Sequence, residues 1–170
     1  SVQHLNLGNN HMSDAGARVL SSRLRQNKGA LLSLDLSHNN IGEEGATALR
    51  YFLQENTSLQ HLNIKRNAFG KGDEGRNQIT EGIRRNESLR SLHMGWTDLS
   101  APQVQSLLQA VTQHPTLETL DISGFVEHLI REELTQQIKE LSINRRKKGL
   151  PPLNVVHIFG EQGKRHKTTF

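Results

Sequence analysis

Between Leu32 and Ser37 the chain reads L-S-L-D-L-S, with apolar and polar residues in strict alternation. A period of two marks a strand with one buried face, so Leu34 and Leu36 point inward and Asp35 and Ser37 outward. The spacing then changes. In G-A-T-A-L-R-Y-F-L-Q-E-N (45–56), Ala46, Leu49 and Leu53 fall on one side of a helix. Val104, Leu107, Leu108 and Val111 repeat that spacing in P-Q-V-Q-S-L-L-Q-A-V, and Pro102 suits a first helical turn. The chain therefore predicts a strand, a turn and a helix, and then the same again.

The alternation is a true repeat. Leu34, Leu36 and Asn39 recur as Leu62, Ile64 and Asn67, and upstream as Leu5, Leu7 and Asn10. Downstream they become Leu92, Met94 and Thr97, then Leu120, Ile122 and Phe125. Val2, Leu31, Leu59, Leu89 and Leu117 open the units, at spacings of 29, 28, 30 and 28 residues. A further apolar position follows (Met12, Ile41, Phe69, Leu99), and Gly16 and Gly45 come four residues after the first two. One unit cannot bury its own apolar face, so the units must stack. Asn10, Asn39 and Asn67 are expected to satisfy backbone groups of the turn after each strand. Thr97 and Phe125 interrupt that ladder, which predicts differently shaped later turns.

These residues resemble the leucine-rich repeat family, in its long-repeat, ribonuclease-inhibitor-like form: L-x-x-L-x-L-x-x-N-x-I-x-x-x-G followed by a helix. The resemblance covers roughly Val2 to Ile158. Intracellular nucleotide-sensing receptors, the Ran GTPase activator and tropomodulin share the pattern. It implies an α/β solenoid, with a curved parallel sheet inside and helices outside. About five repeats start near residues 2, 31, 59, 89 and 117. The stretch E-H-L-I-R-E-E-L-T-Q-Q-I-K-E-L-S-I reads as a longer helix with Leu134, Ile138 and Leu141 on one stripe. Leu150, Leu153 and Val155 then restore the strand pattern, so this helix and a last strand near 150 are expected to cap the domain. Residues 1–159 form the repeat domain in this reading, and 160–170 a flexible basic tail.

Composition adds bounds. At 170 residues this is one domain with room for a continuous core. No apolar run is long enough to span a membrane, and no signal peptide is visible. The chain opens in repeat register without a methionine, which reads as a piece of something longer. Its N-terminal edge is then expected to be covered by upstream chain or a partner. There are no cysteines, hence none of the disulfide caps of secreted repeats, and a cytoplasmic location is expected, with a nuclear or cytoskeleton-associated one as the alternative. N-T-S at Asn56 and N-E-S at Asn86 match the glycosylation pattern. They also sit where this repeat class places an asparagine before the next strand, which is the preferred reading.

Charge is uneven. The net +4 divides into +6 over residues 145–170 (seven Lys/Arg, one acid) and −2 over the rest. The cations fall in Arg145, Arg146, Lys147 and Lys148, and in Lys164, Arg165 and Lys167. The first run suits a helix C-terminus. Both could instead contact an acidic partner. Without aromatic interleaving or a nucleic-acid motif, nucleic acid is a poor candidate.

Candidate chemistry is sparse. G-K-G-D-E-G (70–75) has the glycine spacing of a dinucleotide loop, but Asp73 and Glu74 inside it would repel phosphate. It reads as a turn insertion, and no cofactor is implied. The nine histidines show no metal-ligand spacing, and no nucleophile motif is present. Neither a metal nor a catalytic site is expected, so binding remains. Outward strand positions form columns across the concave sheet, and Trp96, Arg66, His38, Lys65, His93, His61 and Asp35 are the candidate partner contacts. Gly95 and Gly124 are expected to leave open space beside the indole. The function expected is a protein-interaction scaffold within a larger protein of a cytoskeletal, ciliary or immune assembly. The alternatives are the ligand-sensing region of an intracellular nucleotide-binding receptor and a regulator of actin pointed ends or small GTPases.

Overall fold

The computed structural model describes residues 2–26, 31–69, 74–97, 99–124, 131–158 and 165–168. Strands and helices alternate: β1 (His4–Asn6), α1 (Asp14–Gln26), β2 (Ser33–Asp35), α2 (Glu43–Glu55), β3 (His61–Asn63), α3 (Glu74–Arg85), β4 (Ser91–His93), α4 (Ala101–Thr112), β5 (Thr119–Asp121), α5 (Arg131–Lys147), β6 (Asn154–Ile158) and β7 (Arg165–Thr168). The strands form one sheet in chain order, parallel from β1 to β6, with β7 antiparallel on β6. The chain is thus an α/β solenoid.

The register follows the leucines. Leu5, Leu34, Leu62, Leu92, Leu120 and Val155 are successive partners across the sheet. From Leu34 on they are buried, as are Leu36, Ile64, Met94 and Ile122 two residues later. Burying a leucine side chain contributes about 1.5–3 kcal/mol, so this double row against the helices is the core. Each strand is short, but its ladder runs on into the turn: Leu36 N–H donates to the Asn63 carbonyl, and His38 N–H to that of Lys65, both at 2.8 Å. At the N-terminal edge Leu5, Leu7, Met12, Leu20 and Leu24 are only partly buried, and Val2 is exposed.

The asparagines bond from repeat to repeat. Asn39 donates to the carbonyls of Leu7 and Leu36 and accepts from the N–H of Met12 and Asn10. Asn67 donates to Leu36 and Ile64 and accepts from Ile41. Thr97 keeps only the local part, donating to Met94 at 2.7 Å. At Trp96 the backbone keeps the left-handed conformation of the earlier turns, contrary to expectation: its φ is 58°, as at Asn9 in the first repeat. The Trp96 N–H still donates to the Ser123 carbonyl at 2.6 Å, so the backbone ladder holds this residue although the two bonds that Asn67 makes to the preceding repeat have no counterpart at Thr97 among the described residues. Phe125 lies outside the described residues.

A second ladder precedes the strands. Asn56 Oδ1 accepts from Ser58 and Leu59, and Asn86 Oδ1 from Ser88 and Leu89. Asn86 is buried and also donates to the carbonyls of Leu53 and Asn56. Both sequon asparagines are therefore engaged in the fold. Gly70–Asp73 of the glycine-rich stretch lie outside the described residues. At Gly75 a Cβ would meet the Phe69 carbonyl oxygen at 1.9 Å, so this glycine is required by close approach at the start of α3.

In α5, Leu134, Ile138 and Leu141 are buried on one stripe. Part of the segment expected as a flexible tail forms β7 on the edge of β6, where unpaired backbone groups of an edge strand are available.

Candidate functional site

The strand residues of the middle repeats carry a connected polar network on the sheet face opposite the buried leucines. Asp121, at the end of β5, is almost completely buried. Its Oδ1 accepts the Ser123 N–H at 2.9 Å. Its Oδ2 pairs with the Lys65 ammonium two strands away and lies 3.4 Å from His93 Nδ1. Burial pushes the carboxyl pKa up. The bonds from His93, Lys65 and Ser123 outweigh that and hold it well below the usual carboxylate range. Asp35 makes the equivalent turn bond to Ser37 N–H and accepts from Asn63 Nδ2 at 2.9 Å.

His93 Nε2 lies 2.8 Å from Ser91 Oγ. With the proton on Nδ1, the order Ser91–His93–Asp121 has the connectivity of a nucleophile relay. Such a relay also needs donors aimed at a developing oxyanion. The Ser91 N–H donates instead to the Gln60 carbonyl, and Asp121 is shared with Lys65. The network links three successive repeats on one face of the sheet.

The remaining candidates lie just beyond the strands. Arg66 and Trp96 are exposed, Trp96 by 47 %, and the Arg66 guanidinium stands 5.1 Å from the indole centroid. His38 is exposed at the same place one repeat earlier. His38, Arg66 and Trp96 all have positive φ, so they project from the turns at the rim. His61 is exposed in β3. The open space expected around the indole is absent. A Cβ at Gly124 would lie 2.6 Å from the Trp96 ring, and one at Gly95 would lie 2.3 Å from Ser123 Oγ. The indole occupies the room Gly124 leaves, and Ser123 fills the room beside Gly95.

The basic run is divided. Arg146, Lys147 and Lys148 are exposed at the end of α5. Arg145, expected beside them as a partner contact, is fully buried. It donates to the carbonyls of Val111 (2.7 Å), His114 (2.9 Å), Leu117 (2.7 Å) and Pro151 (3.0 Å). It lies four residues after Leu141 and so continues the inward stripe of α5. Its guanidinium is spent on these carbonyls at the end of the fourth repeat and is not part of the exposed basic surface. Lys164 lies outside the described residues, and Arg165 and Lys167 belong to β7. Asp121 and Ser91 were absent from the predicted site. Their sequence signal was their place in the same columns as His93 and His61.

No helix among the described residues is long and apolar enough to cross a membrane. The family model described as Leucine Rich repeat matches residues 1–21, 31–49 and 55–76. The human NACHT, LRR and PYD domains-containing protein 13 is 27% identical over 124 residues, 73% of this chain and 12% of that protein. The chicken leucine-rich repeat-containing protein 45 is 33% identical over 88 residues, 52% of this chain and 13% of that protein. The chain thus spans a small part of the curated relatives it matches. Among solved structures, actin-binding site 2 of leiomodin-1 superposes with a TM-score of 0.68 at 16% identity, covering 86% of this chain and 82% of that one.

Proposed function

Because this chain belongs to the leucine-rich repeat family, we propose that it is a protein-binding segment of a larger cytoplasmic protein, with the partner seated on the concave sheet face. The observation that carries this is Trp96, half exposed and held against Arg66 at the rim of that face. Interfaces concentrate their energy in Trp, Tyr and Arg. The polar strand positions His61, Asp35, Lys65 and His93 extend the same surface. The incompletely buried Leu5 and Leu7 support upstream chain or a partner over the N-terminal edge. Binding is favoured over catalysis because the Ser91–His93 pair has no oxyanion donor in its own N–H.

The test is affinity purification from cells with the wild-type chain, Trp96→Ala, Lys65→Ala and a helix-face control, Arg84→Ala. Proteins retained by the control but lost from both face variants support the reading. Equal retention by all four chains would place the interface elsewhere. Purified actin filaments form a direct arm of the same experiment, since the leiomodin-1 segment of similar fold is an actin-binding site. Co-sedimentation abolished by Trp96→Ala would choose the actin-regulator alternative.

A further inference from the structure

Asn9, His38, Arg66, Trp96 and Gly124 hold the same place in five successive repeats, with φ of 58°, 52°, 52°, 58° and 83°. Glycine and asparagine enter this left-handed region readily, whereas a larger side chain is strained there because its Cβ crowds the backbone. The first and fifth repeats carry the residues the backbone favours most. The three between them carry an imidazole, a guanidinium and an indole, and the histidine of the second is tolerated better there than arginine or tryptophan. All three are exposed, so burial in the core does not offset the strain. Strain that persists at exposed side chains, whose packing is limited to the Arg66–Trp96 contact and Gly124, marks positions held for another purpose.

The three side chains cross adjacent strands about 4.8 Å apart and form one stripe along the rim. Trp96 lies against Gly124 and faces the Arg66 guanidinium, so packing on one side orients the cation on the other. Among the described residues no acid pairs with Arg66. Its neighbour Lys65, in contrast, is neutralised by Asp121. The stripe therefore presents a pre-oriented guanidinium fork, an imidazole and an aromatic surface, with no carboxylate paired to it among the described residues.

We propose that the stripe His38–Arg66–Trp96 recognises a carboxylate-rich segment of a protein partner, with Arg66 forking a Glu or Asp side chain and Trp96 fixing the fork. This rests on the concave-face reading above and adds the chemistry of the partner. Arginine suits the role because its planar donors match a carboxylate two at a time.

Trp96 is the single tryptophan, so its emission reports binding at the stripe. The probe is an acetylated octapeptide of alternating Glu and Ser, compared with Gln–Ser and Lys–Ser versions. A saturable emission change is expected with the Glu peptide alone, weakening with added salt. Arg66→Gln should lower that affinity about tenfold, the loss expected for one charge-assisted hydrogen bond. Replacing Arg146, Lys147 and Lys148 together with Gln should leave it unchanged, which separates the stripe from the basic run. No saturable change, equal binding of the Gln peptide, or indifference to Arg66→Gln would overturn the proposal. Those results would leave the broader reading standing if cellular partners still follow Trp96→Ala and Lys65→Ala.

Discussion

The Arg145 guanidinium donates to the His114 carbonyl at 2.9 Å, and both side chains are shut off from water. One residue closes α5, and the other takes the place that Asn56 and Asn86 hold in earlier repeats. Together they end the fourth repeat where no further asparagine is available.

Removing this arginine takes the donor from the carbonyls of His114, Leu117 and Pro151, whereas the Val111 carbonyl still accepts from the His114 N–H. An orphaned buried group costs about 1–3 kcal/mol, so Arg145→Ala should destabilise the domain by at least about 3 kcal/mol. Arg146→Ala, one residue on and exposed, should change stability by less than about 0.5 kcal/mol. Urea unfolding of the two variants is the check. Equal midpoints would show that the buried fork contributes nothing.

His114 makes stability depend on pH in a defined window. Its Nδ1 accepts the N–H groups of Thr116 and Leu117, which requires that nitrogen to be unprotonated. Burial, and then the Arg145 charge, lower its pKa from 6.5 to about 4. The folded value lies below the unfolded one, so between the two the unfolded chain takes up a proton that the folded chain refuses. Stability is therefore complete above about pH 6.5 and falls towards pH 4, by roughly 3 kcal/mol. Asp121, whose folded pKa is depressed, adds a separate loss that begins only below about pH 4. His114→Asn restores the residue used in the earlier repeats and should flatten the upper window. A wild-type stability that stays constant between pH 6.5 and 4.5 would refute this.

The strand register and core were legible because leucine spacing is physically forced. Leu34, Leu62, Leu92 and Leu120 have to face the helices, and their period announces it. Thr97 was legible as a break, but its consequence was not, because backbone ladder bonds, invisible in side-chain patterns, hold the turn. Arg145 was missed because a run of four cations looks the same whether all four are solvated or one is buried. The α5 stripe of Leu134, Ile138 and Leu141 points to position 145, but the charge of the run masks that periodicity. The network around Asp121 depends on side-chain reach between strands, which columns locate only approximately.

The register itself predicts a sharp contrast. Leu62 is completely buried, and Gln60, two residues before it, is partly exposed. Leu62→Asp should prevent stable folding, because an unpaired carboxylate in the core costs several kcal/mol. Gln60→Asp should melt close to the wild type. Similar melting temperatures for the two variants would disprove the alignment of β3.

The strained turn column offers the test in which stability and binding separate. His38, Arg66 and Trp96 sit at φ of 52°, 52° and 58°, where an ordinary L-residue is disfavoured by roughly 1–2 kcal/mol and asparagine by less. Replacing all three with Asn, the residue the first repeat uses at Asn9, should relieve part of that strain at each position. Against this stands the lost Arg66–Trp96 contact, worth about 0.5–1 kcal/mol at an exposed site, and the indole's packing on Gly124. The relief comes chiefly at Arg66 and Trp96, since histidine tolerates this region better, and it is set against one cation–π contact and one packing contact, so the triple variant should be about as stable as the wild type, by chemical denaturation. Partner binding should weaken by about 2 kcal/mol or more, the scale of an interface anchor. Trp96→Ala alone should show the same loss of binding with little change in stability. A triple variant that unfolds readily yet keeps its partner would mean that the three side chains pack the turns, and that the interface lies on another face.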